Sequence, residues 1–185
     1  MTYDAIEHHH IRRLWPADIA AFRRHLKRLD PDTRQARFGS PVNDQFLEAY
    51  ADTAHRLGTL IYGAYHGNEI RASAELRSLE IVGEAMAEAA FTVEKLYQDK
   101  GLGSLLMNRI IVAAQNRSIS QLHMICLRDN DRMQHLAGKF GARLKIKSGE
   151  VTGRIEPTYP TPVSVFEEAL DEAHGFMTAV LDWRI

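Results

Sequence analysis

The 185-residue chain contains one cysteine, Cys126, and no apolar run longer than Ile110 to Ala114. A single thiol excludes a disulfide framework and a multi-cysteine metal site, and it fits a reducing compartment. Five apolar residues cannot span a bilayer, and the opening MTYDAIEHHHIRR lacks the hydrophobic stretch of a signal peptide, so a cytoplasmic protein with no membrane partner is expected. Charge of one sign is also missing. The 23 basic and 24 acidic residues leave a formal charge of -1, which gives no electrostatic case for a nucleic-acid partner. His8, His9 and His10 are adjacent, so their side chains diverge, and no carboxylate or cysteine pattern accompanies them. No metal site is expected.

What remains is an ordinary globular composition, 45% hydrophobic and 25% charged, in a length that fits one domain with a small appendage. No repeat or low-complexity segment interrupts it. Ile11 to Leu14 reads as a short strand, and Pro16 opens an amphipathic helix with Ile19, Phe22, Leu26 and Leu29 on one face. DPDTRQARFGSP reads as a turn-rich connection, followed by a helix that Asn43 or Asp44 caps and Gly58 ends. Thr59 to Tyr65 and Ile70 to Leu76 flank HGNE as a hairpin, and Ala87 to Val93 forms the next strand. A helix from about Gly101 to Asn116, the apolar strand QLHMICL, a helix ending at Gly141 and the hairpin RLKIK–VTGRIE complete the pattern. The order predicts an α/β fold with a central mixed sheet and helices on both faces, over residues 1–156. Residues 157–185 are a proline-containing connector and a last helix. Its stripe of Phe166, Leu170, Ala173, Met177 and Val180 is expected to dock on the domain or in a homodimer, leaving Glu167, Glu168, Asp171 and Glu172 solvated.

Two glycines stand at the mouth of the long helix in YQDKGLGSLLMNRIIVAAQ. A helix start has unpartnered N–H groups and a partial positive charge, so this loop reads either as a phosphate cradle or as a tight turn that needs glycine. A Walker loop would place two glycines five positions apart with Lys-Ser/Thr after the second. A dinucleotide fingerprint would place a third glycine where this chain has Leu106. Neither pattern is present.

The string AEAAFTVEKLYQDKGLGSLL resembles the acyl-CoA-binding core of the GNAT superfamily of N-acetyltransferases, in which a strand leads into a Gln/Arg-x-x-Gly-x-Gly/Ala loop and a long helix. NDRMQHLAGKFGA is similar to the family's Asn-containing helix, and the likeness extends over Ile11 to Glu156. RRLWPADIAAFRRHLKRLDPDTRQARF is most similar to the opening of the acetyltransferase domain of bacterial protein-lysine acetyltransferases.

The resemblance implies acetyl-CoA as cosubstrate, with no metal. Its pyrophosphate would meet the backbone of Gln98, Asp99, Lys100, Gly101, Leu102, Gly103 and Ser104. It also implies a break or bulge in the preceding strand, where the Phe91 N–H would face the thioester carbonyl, Val93 would bind a pantetheine amide and Thr92 would lie between them. The Asn130 side chain would reach the pantetheine from the next helix. The acceptor would be a small-molecule amine or a protein lysine, and its proton must leave before attack. Glu88 is the expected base, with Glu75 and His123 in reserve. Many family members carry a tyrosine seven residues after the helix asparagine; this chain has Ala137 there, so no general acid is assigned. The same departure makes a non-catalytic acyl-CoA-binding sensor module the alternative.

Overall fold

The computed structural model describes residues 9–54, 58–81, 84–147 and 149–182. Strand β1 (His9–Arg13) is followed by helices α1 (Ile19–Arg28), α2 (Pro31–Phe38) and α3 (Asp44–Thr53). Strands β2 (Thr59–His66), β3 (Glu69–Ile81) and β4 (Glu84–Val93) lead into α4 (Leu102–Asn116). Then come β5 (Gln121–Leu127), α5 (Asp131–Lys139), β6 (Arg143–Lys147), β7 (Glu150–Ile155) and α6 (Pro162–Asp182). The seven strands form one sheet in the order β1-β2-β3-β4-β5-β7-β6, in which only β4 and β5 run parallel. The expected mixed α/β architecture is therefore present. No helix among the described residues is long and apolar enough to cross a membrane.

Side chains alternate across the sheet and build two cores. Leu60, Tyr62, Ala64, Ala74, Ala87 and Ala89 meet Leu106, Met107 and Ile110 of α4 and Ala137 of α5. Ile61 and Tyr65 face the other way, against Phe22 and Leu26 of α1 and Leu47 and Ala51 of α3. The period-two pattern of β2 and the helical spacing of α1 thus each place one apolar set against one face.

The segment expected to be a turn-rich connection holds a two-turn helix instead. Asp30 caps it by accepting from the Thr33 N–H at 3.1 Å, Pro31 takes the first turn, and Gly39 closes it at φ +76°. These are ordinary stop and start signals; the helix lacks an apolar stripe, which hid it. The second helix ends at Thr53, before Gly58, whose φ of +79° serves the start of β2.

α6 docks on β1 and α4 with the opposite polarity from that expected. Glu168 accepts from Asn116 Nδ2 and Arg117 Nη1, each at 2.7 Å, and from the Tyr62 hydroxyl at 3.3 Å. Glu172 pairs with Arg13 at 2.8 Å, and Asp171 pairs with Arg109. Phe166, Leu170 and Met177 are 64%, 55% and 65% exposed; the side chain of Val180 lies outside the described residues. The basic and amide groups on β1 and α4 select the acidic face, because carboxylates can satisfy them and the apolar stripe cannot. Replacing Glu168 by Ala should therefore cost about 1–3 kcal/mol, since Arg117 and Asn116 lose their shared acceptor. Denaturant unfolding checks this, and an unchanged midpoint would mean that the α6 contact contributes nothing to the fold.

Candidate active site

The parallel pair β4–β5 is joined only at Met86–Gln121, Ala87–Leu122 and Glu88–His123. Beyond Glu88 the two strands part. β4 keeps its antiparallel partner, with an unbroken register from Ile81–Glu84 to Ala72–Val93, so the expected break or bulge in this strand is absent. The edge of β4 from Ala89 to Val93 is freed by the departure of β5, not by a distortion of β4 itself. The result is a cleft of about 710 Å³ that passes through the sheet. Glu88 to Val93 and Ile125 to Leu127 form its walls, α2 lies on one side, and the N-terminal ends of α4 and α5 lie on the other.

Eleven of the twelve expected site residues, all but Lys100, line this cleft, and their positions separate. The loop before α4 holds Asp99 at φ +58° and Gly101 at φ +84°. Its N–H groups from Asp99 to Gly103 have no acceptor among the described residues, whereas the Gln98 N–H donates to the Lys95 carbonyl and the Ser104 N–H to the Gly101 carbonyl. Five consecutive donors at the start of a 15-residue helix make an anion cradle. Gly103 has a second reason to lack a side chain, since a Cβ there would lie 3.3 Å from Leu136 Cδ2 where α4 meets α5. Arg132 reaches Asp99, and Lys139 donates to the Ser104 hydroxyl at 3.0 Å, so two cations that the sequence analysis passed over stand at this rim. Lys100 is absent from the lining; its amine lies over the Tyr97 ring at 5.4 Å.

Gln98 adds a tie. Its side-chain amide donates to the Val93 carbonyl at 3.0 Å and to the Thr33 hydroxyl at 3.2 Å, joining the end of β4 to α2. Asn130 caps α5 by accepting from the Met133 N–H at 3.1 Å, and its side chain borders the cleft. Phe91 packs toward α4, and Thr92 borders the cleft with its side chain buried on the α1 face.

Glu88, Glu75 and Thr92 share that second face, because Glu88 pairs in register with Arg77, Glu75 with Ala90 and Ser73 with Thr92. Glu75 is 2% exposed and fully engaged. It accepts from the Tyr50 hydroxyl at 2.6 Å and from Arg37 at 2.8 Å. Burial together with the Glu75 charge pushes the Tyr50 phenol up to about 12. Burial works to lower the Arg37 guanidinium, but Glu75, Tyr50 and then Glu88 hold it above its ordinary value. Glu88 itself is half-buried in the cleft wall and makes no side-chain hydrogen bond to the described residues. Of the three expected proton acceptors, Glu75 is thus committed to a structural cluster. His123 stands beside Glu88 in register but outside the cleft lining, with its Nε2 buried and without a partner among the described residues.

Other residues resolve as structural. Arg34 bonds the Leu29 and Lys27 carbonyls and Asp44. Phe38 makes edge contacts with Phe46 and Tyr50. Ala137, in the tyrosine position, is buried in the core, and Cys126 is buried at the cleft wall with its thiol pushed up by burial. His8 lies outside the described residues, and the His10 ring stacks on Tyr65 at 5.0 Å.

Residues 22–142, more than half of the chain, match the Acetyltransferase (GNAT) family, and the chain belongs to that family. It is similar to the acetyltransferase Pat of Mycolicibacterium smegmatis, with 40% identity over 57 residues. That match covers 31% of this chain and only 17% of that protein. Among solved structures, the GNAT domain of S. lividans PAT shares the fold at TM-score 0.68 and 19% identity, covering 79% of this chain and 89% of that one. So does yncA from Salmonella typhimurium, solved with its cofactor acetyl-CoA, at TM-score 0.65 and 16% identity, covering 84% and 97%.

The Arg37–Glu75 pair makes a direct test of the site's construction. Arg37→Ala should destabilise the protein by about 3–5 kcal/mol, because it strands a buried carboxylate, whereas the double change Arg37→Met, Glu75→Leu should recover most of the loss. Chemical denaturation of the three proteins measures it. Equal stability of wild type and Arg37→Ala would show that Glu75 does not depend on this cation.

Proposed function

We propose that this chain transfers an acetyl group from acetyl-CoA to a primary amine, a small molecule or a protein lysine, by direct attack within a ternary complex. The observation that carries the reading is the parting of β4 and β5 at Glu88, on the same cleft as five N–H groups that have no acceptor among the described residues. The free edge of β4 offers backbone partners for the amides of an extended pantetheine arm. The cradle from Asp99 to Gly103 suits the pyrophosphate, with Arg132 and Lys139 adding charge at its rim. Opening the far side of the cleft toward α2 lets an amine approach the thioester from the side opposite the helix ends.

Attack forms the C–N bond, breaks the C–S bond and releases the CoA thiolate, and the amine must lose its extra proton first. A lysine-like amine titrates near 10.4, so presenting it neutral at pH 7 costs about 4–5 kcal/mol unless a base takes the proton. Glu88 fits that role because its carboxylate is uncommitted at the fork, while Glu75 is held by Arg37 and Tyr50. The Phe91 N–H would donate to the thioester oxygen as negative charge develops.

Glu88→Gln keeps size and hydrogen-bonding shape but removes basicity. Acetyl-CoA affinity, by calorimetry, should barely change, while turnover at pH 7 should drop by roughly a hundredfold or more. The deficit should narrow as pH rises and more of the acceptor is already neutral. An active enzyme indifferent to Glu88→Gln would remove Glu88 as base. A protein that binds acetyl-CoA but acetylates nothing in a broad panel of amines, peptides and proteins would instead be a sensor.

A further inference from the structure

Past Glu88, β4 is supported along one edge only, by β3, and the other edge borders the cleft. A buried polar chain braces the strand from its α1 face. His25 of α1 is fully buried, and its Nε2 lies 2.8 Å from Thr92 Oγ1, which in turn lies 2.6 Å from Ser73 Oγ on β3. His25 Nδ1 lies 3.0 Å from Glu94 Oε1. Arg28 Nε also donates to Glu94 Oε1, at 2.9 Å, and Arg71 Nη1 donates to Oε2 at 3.0 Å.

One protonation pattern satisfies the whole chain. Nδ1–H donates to Glu94, the bare Nε2 accepts the Thr92 hydroxyl proton, and the Thr92 oxygen accepts from Ser73. Burial holds the His25 imidazole below its ordinary value of 6.5, against the pull of Glu94 and with help from Arg28 and Arg71. Burial works to raise the Glu94 carboxyl, but His25 and Arg28 outweigh it and hold it below the usual range. The neutral ring beside an ionised carboxylate is therefore the folded form at pH 7. Of this chain only Thr92 belongs to the expected site and to the cleft lining; His25, Ser73 and Glu94 stand behind it.

Thr92 stands between Phe91 and Val93, so tethering its hydroxyl to His25 and Ser73 holds the twist of the strand at the two residues that border the cleft on either side. We infer that His25 is a positioning residue for acetyl-CoA, orienting the cleft edge of β4 through Thr92 with Glu94 as its anchor. The inference rests on the proposal that the pantetheine arm lies along β4. Protonating His25 would give the ring a second N–H, at Nε2, turn the Thr92 proton toward Ser73, and leave the Ser73 hydroxyl without its acceptor. The charged groups facing the ring are Glu94 on the segment after β4, Arg28 on its own helix and Arg71 on β3, with Glu69 paired to both arginines.

The test measures acetyl-CoA dissociation constants by calorimetry, well below the melting temperature, for the wild-type protein, Thr92→Val, Thr92→Ser and His25→Gln. Thr92→Val keeps the shape and removes the hydroxyl, and affinity should weaken roughly tenfold, the worth of one well-placed hydrogen bond. Thr92→Ser should restore it to near wild type. As pH falls through the titration of His25, which burial sets below 6.5, the wild type should lose affinity, and His25→Gln, whose amide oxygen can accept from Thr92 without titrating, should lose less. Phosphate ionisation of the ligand is common to both proteins and cancels in the comparison. A lowered melting temperature with unchanged affinity in Thr92→Val would reduce the chain to a structural brace and overturn the inference. Should that variant fail to fold, identical affinities and identical pH profiles for wild type and His25→Gln would overturn it equally. If the wild type bound no acetyl-CoA, the functional proposal itself would fall, a result distinct from either.

Discussion

An interior β-strand that loses one neighbour halfway along its length exposes backbone donors and acceptors that must be satisfied some other way, and β4 is such a strand. Three residues pair it to β5 before the two diverge. Everything around the cleft answers that divergence. The long ladder to β3 fixes the register of the freed segment without a bulge. α4 and α5 begin at the opening, so their unpartnered N–H ends and the cations near them face the same space. Gln98 closes the tip of the strand by taking the Val93 carbonyl. On the proposed reading, a substrate lying as an added strand would replace the missing ladder.

The α1–α3 face of the same strand is organised by charge. Two carboxylates are enclosed: Glu75 by Arg37 and Tyr50, Glu94 by His25, Arg28 and Arg71. Both clusters sit where the local dielectric is low, so each member constrains the others more strongly than it would in water. Glu88, on the same face and with no side-chain hydrogen bond to the described residues, is the one acid of the three that lines the cleft. On the proposed reading, the carboxylates that are tied down define the choice of base as much as the one left open.

Much of this was legible in the sequence. The helical spacing of Phe22, Leu26 and Leu29, the alternation in β2 and the glycine pair before α4 each encode a local period or a local backbone requirement, and they placed most elements and the cradle. What escaped was either local but polar, or long-range. α2 has a cap, an N-terminal proline and a closing glycine, yet no apolar stripe to draw attention to it. The separation of β4 from β5 leaves no mark on side-chain alternation, so a bulge was expected where the neighbour simply departs. The contact of His25 with Glu94 spans 69 positions, and that of Arg37 with Glu75 spans 38. The available clue to the first was a histidine one turn after Phe22 on an otherwise apolar face. The reversal of α6 had the same origin, since the partners of its acidic residues lie on β1 and α4, far away in the chain.

That reversal gives α6 an unusual relation to its solvent. A helix seated by Glu168, Asp171 and Glu172 on arginines is held by forces that dissolved ions weaken, while the apolar row it turns outward answers to forces that many salts strengthen. Ionic strength therefore acts on its two sides in opposite senses. In dilute buffer the helix is tied inward to its own chain; in concentrated salt the inward tie slackens just as the outer surface becomes more adhesive. The C-terminal helix is therefore a balance between the ionic face that holds it and the apolar face it exposes, with the surrounding electrolyte as the weight that tips it.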